Sequence, residues 1–411
     1  MESGRVSCSI VQGCVQMASA KEYFRDKQRK MYSEEYQRDM RRHRQKAITV
    51  MAGTVAAIIL LCLGIYYYNV NRTYDGYEVT EEYERTDGQE SQYLQMDDKI
   101  IRYSMDGISC YDENYQVIWN QSYEMKRPMV DVCAPFLAVC DTNGTKFYVL
   151  GENGLESEVD TQLPIKRIEV AGQGVVAVLL EDGDVNRINY YDLTGTMLAE
   201  NKSPIEKSGY PMDISLSSDG MKMAVSYMSL ESGSIKTRIA FYNFDAVGAN
   251  EIDHLVSAQE YDGVIVPEIE FVNATTAVAF GNNFFDIFQG SQKPVETHKE
   301  EISQEIRSVF YSEAYIGIVV SAEGEHPYQL RVYDLKGDKR MEMSFDIDYE
   351  QIKFKDDKVY MISGAQCMVY NLQGKLKFQG DFMENIVDVL PVEEDCYMIV
   401  TNEKVQQVRL K

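Results

Sequence analysis

The chain is poor in the residues that carry most enzyme chemistry. Its 411 residues include one Trp, four His and nine Pro. His43, His254, His298 and His326 stand alone, the last three in segments that read as turns or connectors, and no spacing among them suits zinc. There is no G-x-S-x-G elbow and no phosphate-binding P-loop. The sequence therefore nominates no catalytic, cofactor-binding or metal-ligating residue and implies no cofactor.

Positive charge is also scarce. Residues 1–46 carry 11 Lys/Arg against 6 Asp/Glu, and the rest of the chain carries 30 against 59, a net −29. A surface that acidic repels phosphate backbones, which argues against nucleic-acid binding by residues 69–411.

Charge is missing altogether from AITVMAGTVAAIILLCLGIYYY, residues 47–68. At about 1.5 Å per residue, a helix of this length spans the roughly 30 Å hydrocarbon core of a bilayer. Tyr66, Tyr67 and Tyr68 fall where an aromatic belt sits; Arg41, Arg42, Arg44 and Lys46 crowd the other end. The positive-inside rule then puts the N-terminus in the cytoplasm and the C-terminal bulk outside. A cleaved signal peptide fits less well, since its apolar run is shorter and no small-residue site follows Leu63. The LLC at 60–62 lacks the small residue that precedes a lipidated cysteine, so Cys62 reads as an intramembrane thiol. Before the span, residues 21–46 read as a basic helix with a narrow stripe of Tyr32, Tyr36 and Met40. Such a helix is either solvated, or rests on anionic lipid or a cytoplasmic partner. Residues 1–20 show no pattern, and Met17 is an alternative start.

Beyond the span one phrase recurs. SCYDENYQVIW (109–119), INYYDLTGTML (188–198), RVYDLKGDKRM (331–341) and MVYNLQGKLKF (368–378) are variants of it. Aligned on the aromatic residue, the copies fall at Tyr111, Tyr148, Tyr191, Tyr242, Phe288, Tyr333 and Tyr370, with spacings of 37, 43, 51, 46, 45 and 37. A degenerate copy, KVQQVRLK (404–411), places Val408 another 38 on. A period near 40 is that of a propeller blade of four antiparallel strands. EIRSVFY, AYIGIVVS, PYQLRVYD and KRMEMSF read as one such set, and YEQIKF, KVYMIS, QCMVYN and KLKFQG as the next. The Asp or Asn after the aromatic caps a turn, and the Gly three residues past Asp192, Asp334 or Asn371 supplies positive φ. The phrase is thus a hairpin signal rather than a catalytic motif.

The expected fold is all-β: an eight-bladed propeller, alternatively seven-bladed because 242–288 is irregular, preceded by one transmembrane helix and a cytoplasmic basic helix. The last unit lacks a fourth strand, and a strand near Tyr77–Arg85 is expected to close the ring. The implied domains are a cytoplasmic tail (1–46), a span (47–68), a linker (69–76) and an extracytoplasmic propeller (77–411).

The phrase resembles the quinoprotein-like repeat, Asp-x-x-x-Gly-x-x-x-Trp. Trp119 stands seven after Asp112, while Ala199, Met341 and Phe378 hold its place in other copies. SLSSDGMKMAV (215–225), with Asp219-Gly220 at its turn, is similar to hairpins of WD40-like and TolB-like propellers. The whole chain resembles a family of single-pass, membrane-anchored propellers of anaerobic Gram-positive bacteria. That resemblance implies location and fold.

Quinone chemistry needs calcium ligands and an aromatic floor, and sialidase chemistry needs Asp boxes and an arginine triad; neither set is present. EDGDVNR (181–187) and DTNGTK (141–146) are too short for a calcium loop and sit where hairpins turn. The five cysteines past the span, Cys110, Cys133, Cys140, Cys367 and Cys396, read as buried free thiols, which suits a reducing setting. Tyr210, Tyr261 and Tyr311, from a total of 29 Tyr, are candidates to line one face. Three readings follow. The first is a non-enzymatic scaffold or sensor with a protein partner. The second is a binder of cell-wall glycan or a small ligand, with Tyr and acids at the channel mouth. The third is a surface hydrolase or lyase, with a carboxylate pair of split pKa.

Overall fold

A computed structural model describes residues 20–31, 33–85, 91–393 and 395–411. It divides into a helical unit ending at Arg72 and a second unit, Thr73–Lys411. In the first unit, residues 20–31 are helical, and Ser33 then caps a long helix, Glu34–Asn71, by accepting from the Tyr36 N–H. The basic helix expected over 21–46 is therefore two pieces. Its second piece is continuous with the apolar span, and Tyr32 lies outside the described residues, as do residues 1–19 with the alternative start. Within the long helix, Tyr36–Tyr68 is long and apolar enough to cross a membrane.

The second unit is an eight-bladed β-propeller, each blade a four-stranded antiparallel sheet. Blades 1–7 take residues 92–122, 128–160, 165–204, 210–262, 268–301, 306–345 and 351–381 in chain order. Blade 8 takes its inner three strands from 386–410 and its outer strand from Tyr77–Glu84, paired from Tyr77 opposite Leu410 to Glu84 opposite Lys404. Closure by an N-terminal strand is thus as expected, and the seven-bladed alternative is set aside.

Eight apolar clusters hold the ring, one at each seam between neighbouring blades. Middle strands are covered on both faces, which explains their unbroken apolar runs: every residue of Cys396–Thr401 is buried. Tyr77 seals the last seam by stacking on Phe382 at 4.5 Å and meeting Phe378 edge-on.

The recurrent phrase marks a β-bulge. In blades 1 and 3–7 the pairing of third and outer strands slips by one residue beside the repeated position, at Tyr111, Tyr191, Tyr242, Phe288, Tyr333 and Tyr370. The following Asp or Asn then folds the turn: Asp192 Oδ1 accepts from the N–H groups of Thr194 and Thr196, Asp334 Oδ1 from Lys336 and Asp338, and Asn371 Oδ1 from Gln373 and Lys375. Gly195, Gly337 and Gly374 stand there at φ of 80°, 86° and 74°. Blade 2 corrects the alignment. Its slip lies at Leu150, and Gly151 faces Gly154 across a shorter turn. Leu150, not Tyr148, is the equivalent residue.

The register also places Trp119, Ala199, Met341 and Phe378 at one structural position, opposite Cys110, Tyr190, Val332 and Val369. Trp119 reaches the next blade, where its Nε1 donates to the Glu152 carbonyl at 3.1 Å. Blade 5 fills the same position with His298, opposite Ile287. His298 therefore sits in an outer strand, Val295–Glu301, and not in a turn. Its ring packs on the next blade's turn so closely that a Cβ on Gly337 would stand 2.3 Å from it.

Cys133 faces Phe136 and Cys140 faces Met129, so the two thiols are apart in register. All five propeller cysteines are free. Burial pushes the Cys140 and Cys367 thiols up to about 12, which keeps them protonated and inert.

Candidate functional site at one end of the channel

Inner strands of a propeller face its channel with alternate residues. At the end where these strands finish, the ring encloses a cavity of about 620 Å³ lined from blades 1–6. Asp131, Glu169, Glu270 and Tyr311 project into it, with Gln95 near the end of the inner strand of blade 1 and Asp97 and Glu313 at the turns beyond. Asp213 and Glu268, on inner strands Tyr210–Leu216 and Glu268–Phe271, adjoin these carboxylates.

Some of this acidity serves the fold. Asp131 Oδ2 accepts the Val170 N–H at 2.6 Å, and Asp213 Oδ2 accepts the Ile269 N–H at 3.1 Å. Each bond ties the inner strand of one blade to that of the next. Ser215 Oγ does the same for the Phe271 N–H at 2.9 Å. These neutral donors satisfy the oxygens without cancelling the charge. Arg167 Nε is 3.5 Å from Asp213 Oδ1 and opposes the rise at Glu169.

The result is a shared electrostatic strain. Burial pushes the Asp131 carboxyl up to about 6, against the pull of the Val170 and Val132 N–H groups. Glu169 is held well above the usual carboxylate range, first by burial and then by repulsion from Asp131, Glu270 and Asp213. Glu270 is raised by burial, then by Asp131 and Asp213, with Ser215 opposing. Asp213 and Glu268 move the same way, again through burial first. Tyr311 is pushed up by burial and by four of these carboxylates. The groups move together, whereas an acid–base pair needs its members driven apart. An arrangement of this kind favours a cationic group, whose charge relieves every member at once.

The three tyrosines proposed for one face are separated. Tyr311 lines the cavity and Tyr210 is exposed; Tyr261 is buried and donates to Asp286 Oδ2 at 2.6 Å. No cluster of three or more His, Cys, Asp or Glu suited to a metal ion occurs among the described residues. The two acidic turns read as hairpins are so: Asp182 is paired with Arg187, and Asp141 Oδ1 accepts from the Lys126 and Arg127 N–H groups.

The channel carboxylates were missed in the sequence, although a signal existed. MVDVC, KRIEV, MDISL and PEIEF each carry an acid at an alternating position in the first strand of a unit. That is the inward face once the strand is known to be innermost.

Residues 70–410 match a family of unknown function, DUF5711. The chain belongs to this family. No curated protein matches its sequence. Among solved structures, Sqt1 of Saccharomyces cerevisiae is similar at 10% identity, covering 83% of this chain and 100% of its own, with a TM-score of 0.50. Apo AztD of Citrobacter koseri is similar at 8% identity, covering 72% and 87%, also at 0.50. BamB of Moraxella catarrhalis has 13% identity, 81% and 99% coverage and a TM-score of 0.48. At such identities the likeness is one of fold. This DUF5711 member is thus a propeller with an apolar helix ahead of it.

Proposed function

We propose that this DUF5711 protein is a membrane-anchored, non-enzymatic scaffold that takes a basic segment of a protein partner at the acidic end of its channel. In this reading residues 47–68 cross the bilayer once, residues 1–46 lie in the cytoplasm, and the propeller of 77–411 stands outside on the short linker 69–76. The charge step across the span supports that orientation. Free buried thiols suit a reducing exterior, as at the surface of an anaerobic Gram-positive cell. The observation that carries the reading is the cavity of about 620 Å³ lined by carboxyl groups that burial, and at Glu169 and Glu270 their neighbours' charge, hold above the usual range.

The test is capture by the full chain in detergent, against solubilised membranes and against purified cell wall. A protein retained by the native chain and released by Glu169→Gln with Glu270→Gln supports the scaffold. Retention of wall glycan alone, unaffected by those substitutions, overturns it in favour of glycan binding.

A further inference from the structure

Strand direction decides which face of the propeller carries the tether. Strands alternate, so the turns between first and second strands and those between third and outer strands share one face. The outer strand of blade 8 starts on that face at Tyr77, opposite Leu410. The chain is already fixed there a little earlier: the Tyr74 N–H donates to the Lys377 carbonyl at 2.8 Å and the Asp75 N–H to the Lys411 carbonyl at 3.0 Å. The long helix ends at Asn71. Only Arg72 and Thr73 intervene, and two extended residues reach about 7 Å.

The same face carries exposed apolar residues at the start of outer strands on both sides of blade 8. Leu376 belongs to blade 7, Val117 and Ile118 to blade 1, Leu155 to blade 2, and Met197 and Leu198 to blade 3. Ile118 and Leu198 are the extra residues of their bulges, which turns them outward. Leu198 is 58% and Val117 57% exposed. With Met221 and Ile252 of blade 4 and Val295 of blade 5 on the same face, six blades present exposed apolar side chains, and blade 8 the tether itself, along one rim. A scattered apolar residue needs no explanation, but a rim of them on the face that carries a membrane tether does.

We infer that this rim rests on the lipid surface beside the anchor, an inference that depends on the membrane reading above. Leu, Ile, Val and Met side chains partition into the headgroup boundary when held there, and the short tether supplies the holding. The contact is apolar, so it needs no anionic lipid. It also sets the acidic channel end, which opens on this face, near the membrane. The basic segment that enters it then comes from a partner lying at the membrane itself.

The sole tryptophan, Trp119, adjoins Val117 and Ile118 and reports the contact directly. The full chain is reconstituted in phosphatidylcholine vesicles containing a lipid with a nitroxide on its headgroup. Trp119 emission is expected to fall as the nitroxide lipid increases. In Trp119→Phe carrying Leu230→Trp, the probe stands on the opposite face, where residue 230 is 73% exposed, and emission is expected to hold. Ile118→Asp with Leu198→Asp is expected to relieve the quenching of Trp119 with the melting temperature unchanged. Quenching is expected to persist at about 0.5 M salt, where surface charge is screened. Equal quenching at both probes, no effect of the double substitution, or loss in salt overturns the inference. Absent quenching with a protein captured through Ile118 and Leu198 overturns it in favour of a protein interface. A chain that fails to float with the vesicles at all refutes instead the membrane reading on which it rests.

Discussion

Asp131→Asn is expected to make the propeller more stable at pH 8 and to leave it unchanged at pH 4. The carboxyl stands at about 6 in the folded chain against an ordinary 3.8. A raised carboxylate means that the folded state holds its proton longer than the unfolded state does. Stability therefore falls as pH climbs from about 4 to about 6 and stays reduced above that. The displacement is worth at most about 3 kcal/mol. Channel water still reaches this half-buried group and screens its neighbours, so about 1–2 kcal/mol is the expected gain on neutralisation. The asparagine oxygen can still accept the Val170 N–H, so the strand-to-strand bond survives. For a propeller of this size the gain corresponds to a rise of about 1–3 °C in melting temperature. The assay is thermal unfolding of the full chain in detergent, native against variant, from pH 4 to pH 8. A difference that does not change with pH, or a variant less stable at pH 8, refutes the account of a carboxyl raised by burial in the channel.

Asp286 gives a second pH signature at a different place. It is fully buried, and burial lifts its carboxyl to about 7 with Tyr261 opposing and Glu296 adding. By the same sign, native stability declines as pH climbs from about 4 to about 7, and Asp286→Asn is expected to flatten that decline in melting curves. Tyr261→Phe removes the donor to this carboxyl and is expected to cost about 1–3 kcal/mol by denaturant titration. Gly337→Ala places a Cβ into the His298 ring at a φ of 86° and is expected to cost about 3 kcal/mol, whereas Gly183→Ala, at a φ of 61° with open space around it, is expected to cost about 1. Removing residues 73–84 leaves the strand Lys404–Leu410 as an open edge and is expected to produce self-association, read by light scattering after size exclusion.

Much of the ring could be read from local chemistry. An aromatic, a capping Asp and a positive-φ Gly report on one turn, and a turn belongs to a few neighbouring residues. The closing strand was legible because a unit short of one strand leaves an edge that something must cover. Blade 2 misled the alignment because its tighter turn needs no cap, so Tyr148 stood nearest to the pattern while Leu150 held the position. His298 was misplaced because a polar ring between Thr297 and Lys299 looks like a connector until the bulge beside Phe288 turns it onto the next blade. The channel acids were illegible for a deeper reason. Asp131 and Glu270 are 139 residues apart in the chain, and only closure of the ring brings them to one cavity.

Closure by Tyr77–Glu84 also sets the order of assembly. This strand comes first in the propeller's sequence, while its partner, Lys404–Leu410, is the last of the propeller's described strands, so its place at the edge exists only once the other blades have been made. It must wait, unpaired, while seven blades form. Its sequence, YEVTEEYE, suits waiting: four glutamates keep an open edge soluble and discourage pairing with the same strand of another chain. Lys404 and Lys411, arriving last, carry the opposite charge and meet Glu82 and Glu78. The acidity that deters a wrong partner early thus selects the right one at the end.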